Sequence, residues 1–252
     1  MNSKQELATI KNQIFFLTIY AILITIILTV SIIYFNTKTP TITTDFDVIN
    51  VKRINIIEED GTLRLTISNK EKSPAPLTYG KEFGLIGGNR CGLIFFNEEG
   101  TECGGLTFSG VTDSITGEQD AFGHLSFDQY NQNQVLYFQY SDDREGRQVG
   151  LHVTDWQDTP PFPVWNQQLH NVYKDFEEGS KRDSALQHLL EPVEGQPAYA
   201  KRVFLGRDTN KAAVLNLSDK SGNVRLQFMV DSAGTAKINF LNNDGEIESS
   251  FL

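Results

Sequence analysis

The sequence is short of most residue types from which an active site is usually recognised. Its 252 residues include only two cysteines, four histidines and two tryptophans. Cys91 and Cys103 form no C-x-x-C pair and have no neighbouring His, so the usual redox and structural-zinc patterns are missing. His124, His152, His170 and His188 are scattered, with no H-E-x-x-H and no compact metal pair. There is no G-x-S-x-G nucleophile elbow. "GLIGGNRCG" has glycines without the G-x-G-x-x-G order or a following Walker lysine, which leaves tight-loop and strand-edge roles. Basic charge is scarce too, with 22 Lys and Arg against 32 Asp and Glu. A formal net charge of −10 offers no basic patch to a phosphate backbone, so no nucleic-acid partner is expected. No motif implies a cofactor or a metal.

What is present begins with one long apolar run. Ile14 to Phe35, "IFFLTIYAILITIILTVSIIYF", has no charged residue, Gly or Pro. As a helix it would be about 33 Å long, enough to cross a hydrocarbon core of about 30 Å. A cleaved signal would have a shorter apolar region and a small-residue cleavage site, and neither is seen. The expected organisation is therefore a cytoplasmic N-terminus (1–13), a single-pass transmembrane signal anchor (14–35) and a Thr-rich tether (36–47). A β-rich domain follows over 48–252, with an insertion at 155–200. Lys4 and Lys11 precede the span and Lys38 follows it, so the Lys/Arg bias points the domain out of the cytoplasm by one charge.

Beyond the tether the apolar residues alternate, which is the period of a half-buried strand. In "VRLQFMVDSAGTAKINFL", a three-residue loop with Gly234 in the left-handed conformation pairs Asp231 with Thr235. Phe228 then meets Ile238, and Leu226 meets Phe240. One residue of slip would set Phe228 against Lys237. Gly61, Gly100, Gly222 and Gly245 mark related turns. A two-residue turn at Asp60-Gly61 matches Ile56 to Leu65 and Ile54 to Ile67. A turn at Glu98-Glu99-Gly100 would set Phe95 near Cys103 and Cys91 near Thr107. The cysteines would then lie about 13 Å apart along the strands, too far for a disulfide. Two free, buried thiols are expected. The Asp219 turn calls for a four-residue loop, and the last hairpin has no unique register. Gly222, Gly234 and Gly245 are spaced as a weak repeat. As calcium loops these turns fail, since "DSAG" and "DKSG" each offer one carboxylate.

The expected fold is mainly β: about a dozen strands in antiparallel hairpins, as a barrel, sandwich or solenoid, with a helix-containing insertion. Three stretches interrupt the strands: the loop "NKEKSPAPLTYGKEFG", the polar excursion "SGVTDSITGEQDAFG", and the insertion. In the insertion, "VYKDFEEGSKRDSALQHLL" reads as one or two short amphipathic helices broken near Gly179.

Two groups of residues are candidates for function. Trp156, Phe162 and Trp165, in the Pro-stiffened "TDWQDTPPFPVW", form either a platform for a sugar or partner protein, or a plug for the end of the β domain. Among the carboxylates, Asp128 and Glu102 stand out because they do not fall at hairpin tips, and a glycan-cleaving enzyme needs only two acids at the right separation. "GLIFFNEEGTECGG", "LSFDQYNQNQ" and "RVFLGR" resemble stretches of uncharacterised bacterial membrane-anchored β-rich proteins. That resemblance spans most of Val48 to Leu252; it implies a bacterial envelope setting and supplies no site. The sequence therefore points to a non-enzymatic structural or binding domain whose protein or glycan partner is open. A membrane-tethered glycan hydrolase and a homo-oligomeric assembly protein are the alternatives.

Overall fold

A computed structural model describes residues 3–37, 44–84, 89–193 and 195–251. Lys38, most of the tether and residues 85–88 of the "GLIGGNRCG" stretch lie outside the described residues. Two units are separable, Met1–Asn50 and Val51–Leu252.

The first unit is built on a single helix, α1 (Ser3–Thr37), long and apolar enough to cross a membrane. It begins before the expected cytoplasmic segment ends, because Ser3 to Gln13 contains no Pro or Gly to stop it. Three of the hydroxyls in its apolar run are satisfied within the helix: Thr18, Thr25 and Thr29 donate to the carbonyls of Ile14, Ala21 and Thr25 at 2.8–2.9 Å. That arrangement removes the cost of an unpaired hydroxyl in hydrocarbon.

The second unit is built on one twelve-stranded antiparallel sheet. Its strands are β1 (Arg53–Ile57), β2 (Leu63–Ser68), β5 (Gly92–Phe96), β6 (Glu102–Thr112), β7 (Gln119–Asp128), β8 (Gln134–Asp143), β9 (Gly146–Trp156), β10 (Tyr199–Arg207), β11 (Ala213–Ser218), β12 (Val224–Val230), β13 (Ala236–Leu241) and β14 (Ile247–Phe251). They pair in that order, and β1 and β14 each have one neighbour. The barrel, sandwich and solenoid alternatives thus give way to a single open meander. Between β2 and β5, the short strands β3 (Leu77–Thr78) and β4 (Lys81–Glu82) form a separate hairpin. The insertion holds α2 (Phe162–Asp175) and α3 (Ser180–Leu189), with Gly179 at φ 143 between them. Helix α2 starts ten residues before the expected helical segment, Pro161 standing at its N-cap and Pro163 in its first turn, where a missing N–H costs nothing. The "polar excursion" is mostly long strand: β6 and β7 pair from Gly104–Phe127 to Thr112–Gln119, and only 113–118 turns.

One loop design recurs. At Glu58, Asn97, Asp208, Asp219, Asp231 and Asn242 the residue's N–H donates to the carbonyl four residues on, and its carbonyl accepts from the N–H three residues on. That residue three on is left-handed in each: Gly61, Gly100, Lys211, Gly222, Gly234 and Gly245. Asn97, Asp219, Asp231 and Asn242 each accept two loop N–H groups on one side-chain oxygen. The Gly234 hairpin has the expected register. At Asp60 the expected pairs Ile56–Leu65 and Ile54–Ile67 also form, but the loop has three residues, not two, and at Asp219 it has three, not four; a bulge absorbs each difference, at Ile56/Ile57 and Leu217/Ser218. The final register is Ile238 to Phe251 and Phe240 to Ser249.

The two faces of the sheet carry opposite chemistry. Following the pairing across all twelve strands, one face presents Asn55, Thr66, Ile94, Gly105, Ser126, Tyr137, His152, Phe204, Asn216, Gln227, Asn239 and Ser250. The adjacent row on the other face reads Ile54, Ile67, Leu93, Leu106, Leu125, Phe138, Leu151, Leu205, Leu215, Phe228, Ile238 and Phe251. The mixed, largely polar row is the buried one: Thr66 is 0%, Ile94 1% and Asn239 3% exposed. In the aliphatic and aromatic row, Phe138 is 52% and Phe251 62% exposed. We call these the inner and outer faces.

Candidate functional site

The inner face is held by two side-chain ladders. Towards the C-terminus, Gln227 donates to Asn216 at 3.0 Å, Asn239 to Gln227 at 2.9 Å, and Ser250 to Asn239 at 2.7 Å. In the middle, Phe122, His124, Tyr137, His152 and Phe204 stack in sequence, the Tyr137 and His152 rings lying 4.5 Å apart and nearly parallel. Gly150 makes the last contact possible, since a Cβ there would lie 2.3 Å from the Phe204 ring. Burial lowers the pKa of both histidines, His152 to about 4 with Lys201 adding to the effect. Both imidazoles are therefore neutral at pH 7 and stack as aromatic rings. His170 and His188 are exposed on the helices, His188 against Glu191 at 3.0 Å.

Beside this stack lies a cavity of about 840 Å³. Its floor is the inner face of β5 to β8. Its other walls come from the segment between β2 and β5 and from Phe162 and Pro163 at the start of α2. The covering segment is fastened across the sheet: Gly80 N–H donates to the Gly100 carbonyl at 3.1 Å, Tyr79 N–H to Thr101 Oγ1 at 2.9 Å, and Asn131 Nδ2 to the Tyr79 hydroxyl at 3.0 Å. Phe83 meets Phe162 edge to face at 6.3 Å.

The charged group at the cavity is placed by a bulge. Phe95 pairs with Gly104, not Cys103, and Phe96 pairs with Glu102, so Cys103 is the extra residue. Without it Glu102 would point to the outer face; with it Glu102 shares the inner face with Phe96. Arg90 then binds Glu102 through both carboxylate oxygens, at 2.7 and 3.1 Å. Asp128 lines the same cavity with no guanidinium of its own. Burial, reinforced by the Glu102 charge, pushes its pKa up to about 7 against the opposing pull of Arg90. Asp128 thus keeps its proton into the neutral range beside the Arg90–Glu102 pair. Burial also raises the Cys103 thiol, with the Asp128 charge adding to it. Cys91 and Cys103 are free but half-buried, a correction to the buried thiols expected, and Cys91 lines the cavity.

Five cavity-lining side chains carry buried polar atoms that have no partner among the described residues: Arg90 Nε, both ring nitrogens of His124, Asp128 Oδ1, Asn131 Oδ1 and Gln132 Oε1. The two amides are oriented by their other ends. Gln132 Nε2 donates to the Pro160 carbonyl at 2.8 Å, and Asn131 Nδ2 to Tyr79. Both acceptor oxygens are therefore fixed without a donor. Leaving such groups dry costs on the order of 1–3 kcal/mol each, so the cavity is built to receive hydrogen bonds.

Of the aromatic candidates, only Phe162 lines the cavity. Trp156 ends β9 and Trp165 sits on α2. Their rings are 5.7 Å apart, each within 6.1 Å of Phe162, and Trp156 also touches Tyr199 at 5.0 Å. All three are half-buried, and Trp156 Nε1 donates to the Gln134 carbonyl at 3.0 Å. The cluster joins the insertion to the sheet and lends one ring to the cavity. Sequence reasoning missed Arg90, Asn131 and Gln132; the run "NQNQ" after Asp128 is an amide-rich signal for a polar site, but it reads equally as a turn. Among the described residues, no three His, Cys, Asp or Glu side chains are grouped to hold a metal ion. No family model, curated protein or solved structure matches the chain.

Proposed function

We propose that this chain is a membrane-anchored, extracytoplasmic binding domain of the bacterial envelope, and that its cavity takes a small, neutral, hydroxyl-rich ligand of one or two sugar rings. The carrying observation is the set of unpaired polar atoms on Arg90, His124, Asp128, Asn131 and Gln132. Two acceptors, a guanidinium N–H and a protonated carboxyl ask for a ligand that both donates and accepts, which hydroxyls do. Phe83, Ile94, Phe122 and Phe162 supply apolar walls, and the volume is ordinary for a ligand pocket of about 300–1,000 Å³. A charged ligand fits less well. An anion would face Glu102 and an ionising Asp128, while Arg90, the one guanidinium among the described lining residues, is already taken by Glu102.

The hydrolase alternative draws support from the raised pKa of Asp128 beside a second carboxyl, Glu102, since a general acid must hold its proton near neutral pH. Against it, both Glu102 oxygens are occupied by Arg90, and a carboxylate held that way is a poor base or nucleophile. Binding without turnover is the reading we favour.

Calorimetric titration of the full chain in detergent with N-acetylglucosamine and its β-1,4-linked disaccharide tests this. Binding heat that disappears in Gln132→Leu supports the proposal. Absence of binding across neutral saccharides overturns it, and release of monosaccharide that stops in Asp128→Asn favours the hydrolase.

A further inference from the structure

The outer face presents a second problem, independent of the cavity. Ile67, Leu106, Phe138, Leu205, Phe228 and Phe251 lie in one transverse row and are each 37–62% exposed. The next row adds Ile56, Phe127 and Phe240 at 41–51%. No Leu, Ile, Val or Phe of either row is buried. Soluble monomers rarely show contiguous apolar patches beyond a few hundred Å². Twelve strands about 4.8 Å apart, with two rows of side chains about 7 Å apart, cover roughly 700–800 Å². A standard protein interface needs about 800 Å² from each partner.

We propose that the outer face docks on the same face of a second copy of this chain, giving an isologous dimer. Besides the area, three observations favour a second copy. A lipid surface is opposed by the acids at both strand ends, with Glu58, Asp60, Glu98 and Glu99 at one and Asp113, Glu118 and Asp143 at the other. Insertion as a transmembrane barrel is opposed by the open sheet and by seven strands of five to seven residues, since spanning strands need about 9–11. The pattern is also self-complementary: the first row is apolar from one sheet edge to the other, so a twofold axis anywhere near the middle matches apolar to apolar. The middle of the twelve lies between β8 and β9, where Phe138 pairs with Leu151. A shared membrane anchor would raise the effective concentration of copies further. This inference concerns the sheet face, not the strand edges or C-terminal hairpins.

The test uses the full chain in native membranes with Cys91→Ser and Cys103→Ser, carrying one new thiol at Phe138→Cys or at the turn-tip control Lys220→Cys. Mild oxidation should give disulfide-linked dimer at position 138 and little at 220. In detergent, sedimentation of Phe138→Asp should show a dissociation constant raised about thirtyfold or more, with an unchanged β signature by circular dichroism and unchanged saccharide binding. Equal cross-linking at 138 and 220, a wild-type chain that sediments as a monomer, or labelling of the outer face by a photoreactive lipid in place of cross-linking would each overturn the proposal. If Phe138→Asp fails to fold, the cross-linking comparison decides alone.

Discussion

The two faces of this sheet are made by the same strands, on alternate residues, and they obey opposite rules. On the inner face Thr, Ser, His, Asn and Gln are buried or half-buried between the two edge strands, and most are matched by a hydrogen bond or a stacked ring across the strand pair. On the outer face Leu, Ile, Val and Phe are half-exposed and match mainly one another. The usual expectation for a one-sided antiparallel sheet is apolar in and polar out. The inversion teaches that alternation reports that two faces differ, while the segments packed on a face decide which one is covered. Here the β3–β4 hairpin and the start of α2 lie over the polar face and enclose a cavity there.

The largest way to test that contrast is to remove the same amount of side chain from each face. Ile94→Ala, at a side chain 1% exposed against the cavity floor, should cost about 3 kcal/mol. Leu106→Ala, one strand away on the outer face, should cost about 1 kcal/mol or less under dissociating conditions. Urea titration followed by fluorescence of Trp156 and Trp165 measures both, and equal losses would contradict the assignment of faces.

The next effect depends on pH. Asp128 has a folded pKa of about 7, above its ordinary value of 3.8. The folded state therefore holds this proton more tightly than the unfolded chain. Its favourable contribution is complete below about pH 4 and is lost as pH rises through 7. Between pH 5 and 8 the wild type should lose about 2–3 kcal/mol relative to Asp128→Asn, read from paired denaturation curves. A constant difference across that range would show that Asp128 titrates normally.

The amide ladder supplies a third comparison. Asn239→Ala takes the donor from Gln227 Oε1 and the acceptor from the Ser250 hydroxyl, and Asn239 is 3% exposed. The expected cost is about 1–2 kcal/mol, and a double-mutant cycle with Gln227→Ala should show coupling. Strict additivity would mean the ladder is geometry without energy.

Much of this was legible in the residues. Period-two alternation gave the strands, and the residue order Asp-x-x-Gly gave the loops, because only a few types tolerate the left-handed position. Pairings such as Phe228 with Ile238 followed from matching apolar positions. Bulges were not legible. One extra residue at Ile56/Ile57, Cys103 or Leu217/Ser218 leaves the apolar pattern intact on either side, so the pattern alone could not distinguish a bulge from a longer loop. The cavity was legible only in pieces. Glu102 and Asp128 stood out because they avoid the hairpin tips. Their meeting with Arg90 and Phe162 depends on contacts between distant segments, and the raised pKa depends on burial that composition cannot report.

The smallest effect separates the free meander from the covered part of the sheet. Gly234 has φ +87 and Gly100 φ +73, and both close the same loop design. A Cβ at Gly234 would meet nothing within 4 Å, so Gly234→Ala pays only for the left-handed backbone, about 1 kcal/mol. Asn tolerates that conformation better, so Gly234→Asn should recover part of the loss. A Cβ at Gly100 would come within 3.1 Å of the Gly80 backbone nitrogen, whose N–H is bonded to the Gly100 carbonyl. Gly100→Ala should therefore cost more than Gly234→Ala and, unlike it, weaken saccharide binding by loosening the β3–β4 cover. If the two substitutions prove equal in stability and neither changes binding, the hairpin over the inner face is not what closes the cavity.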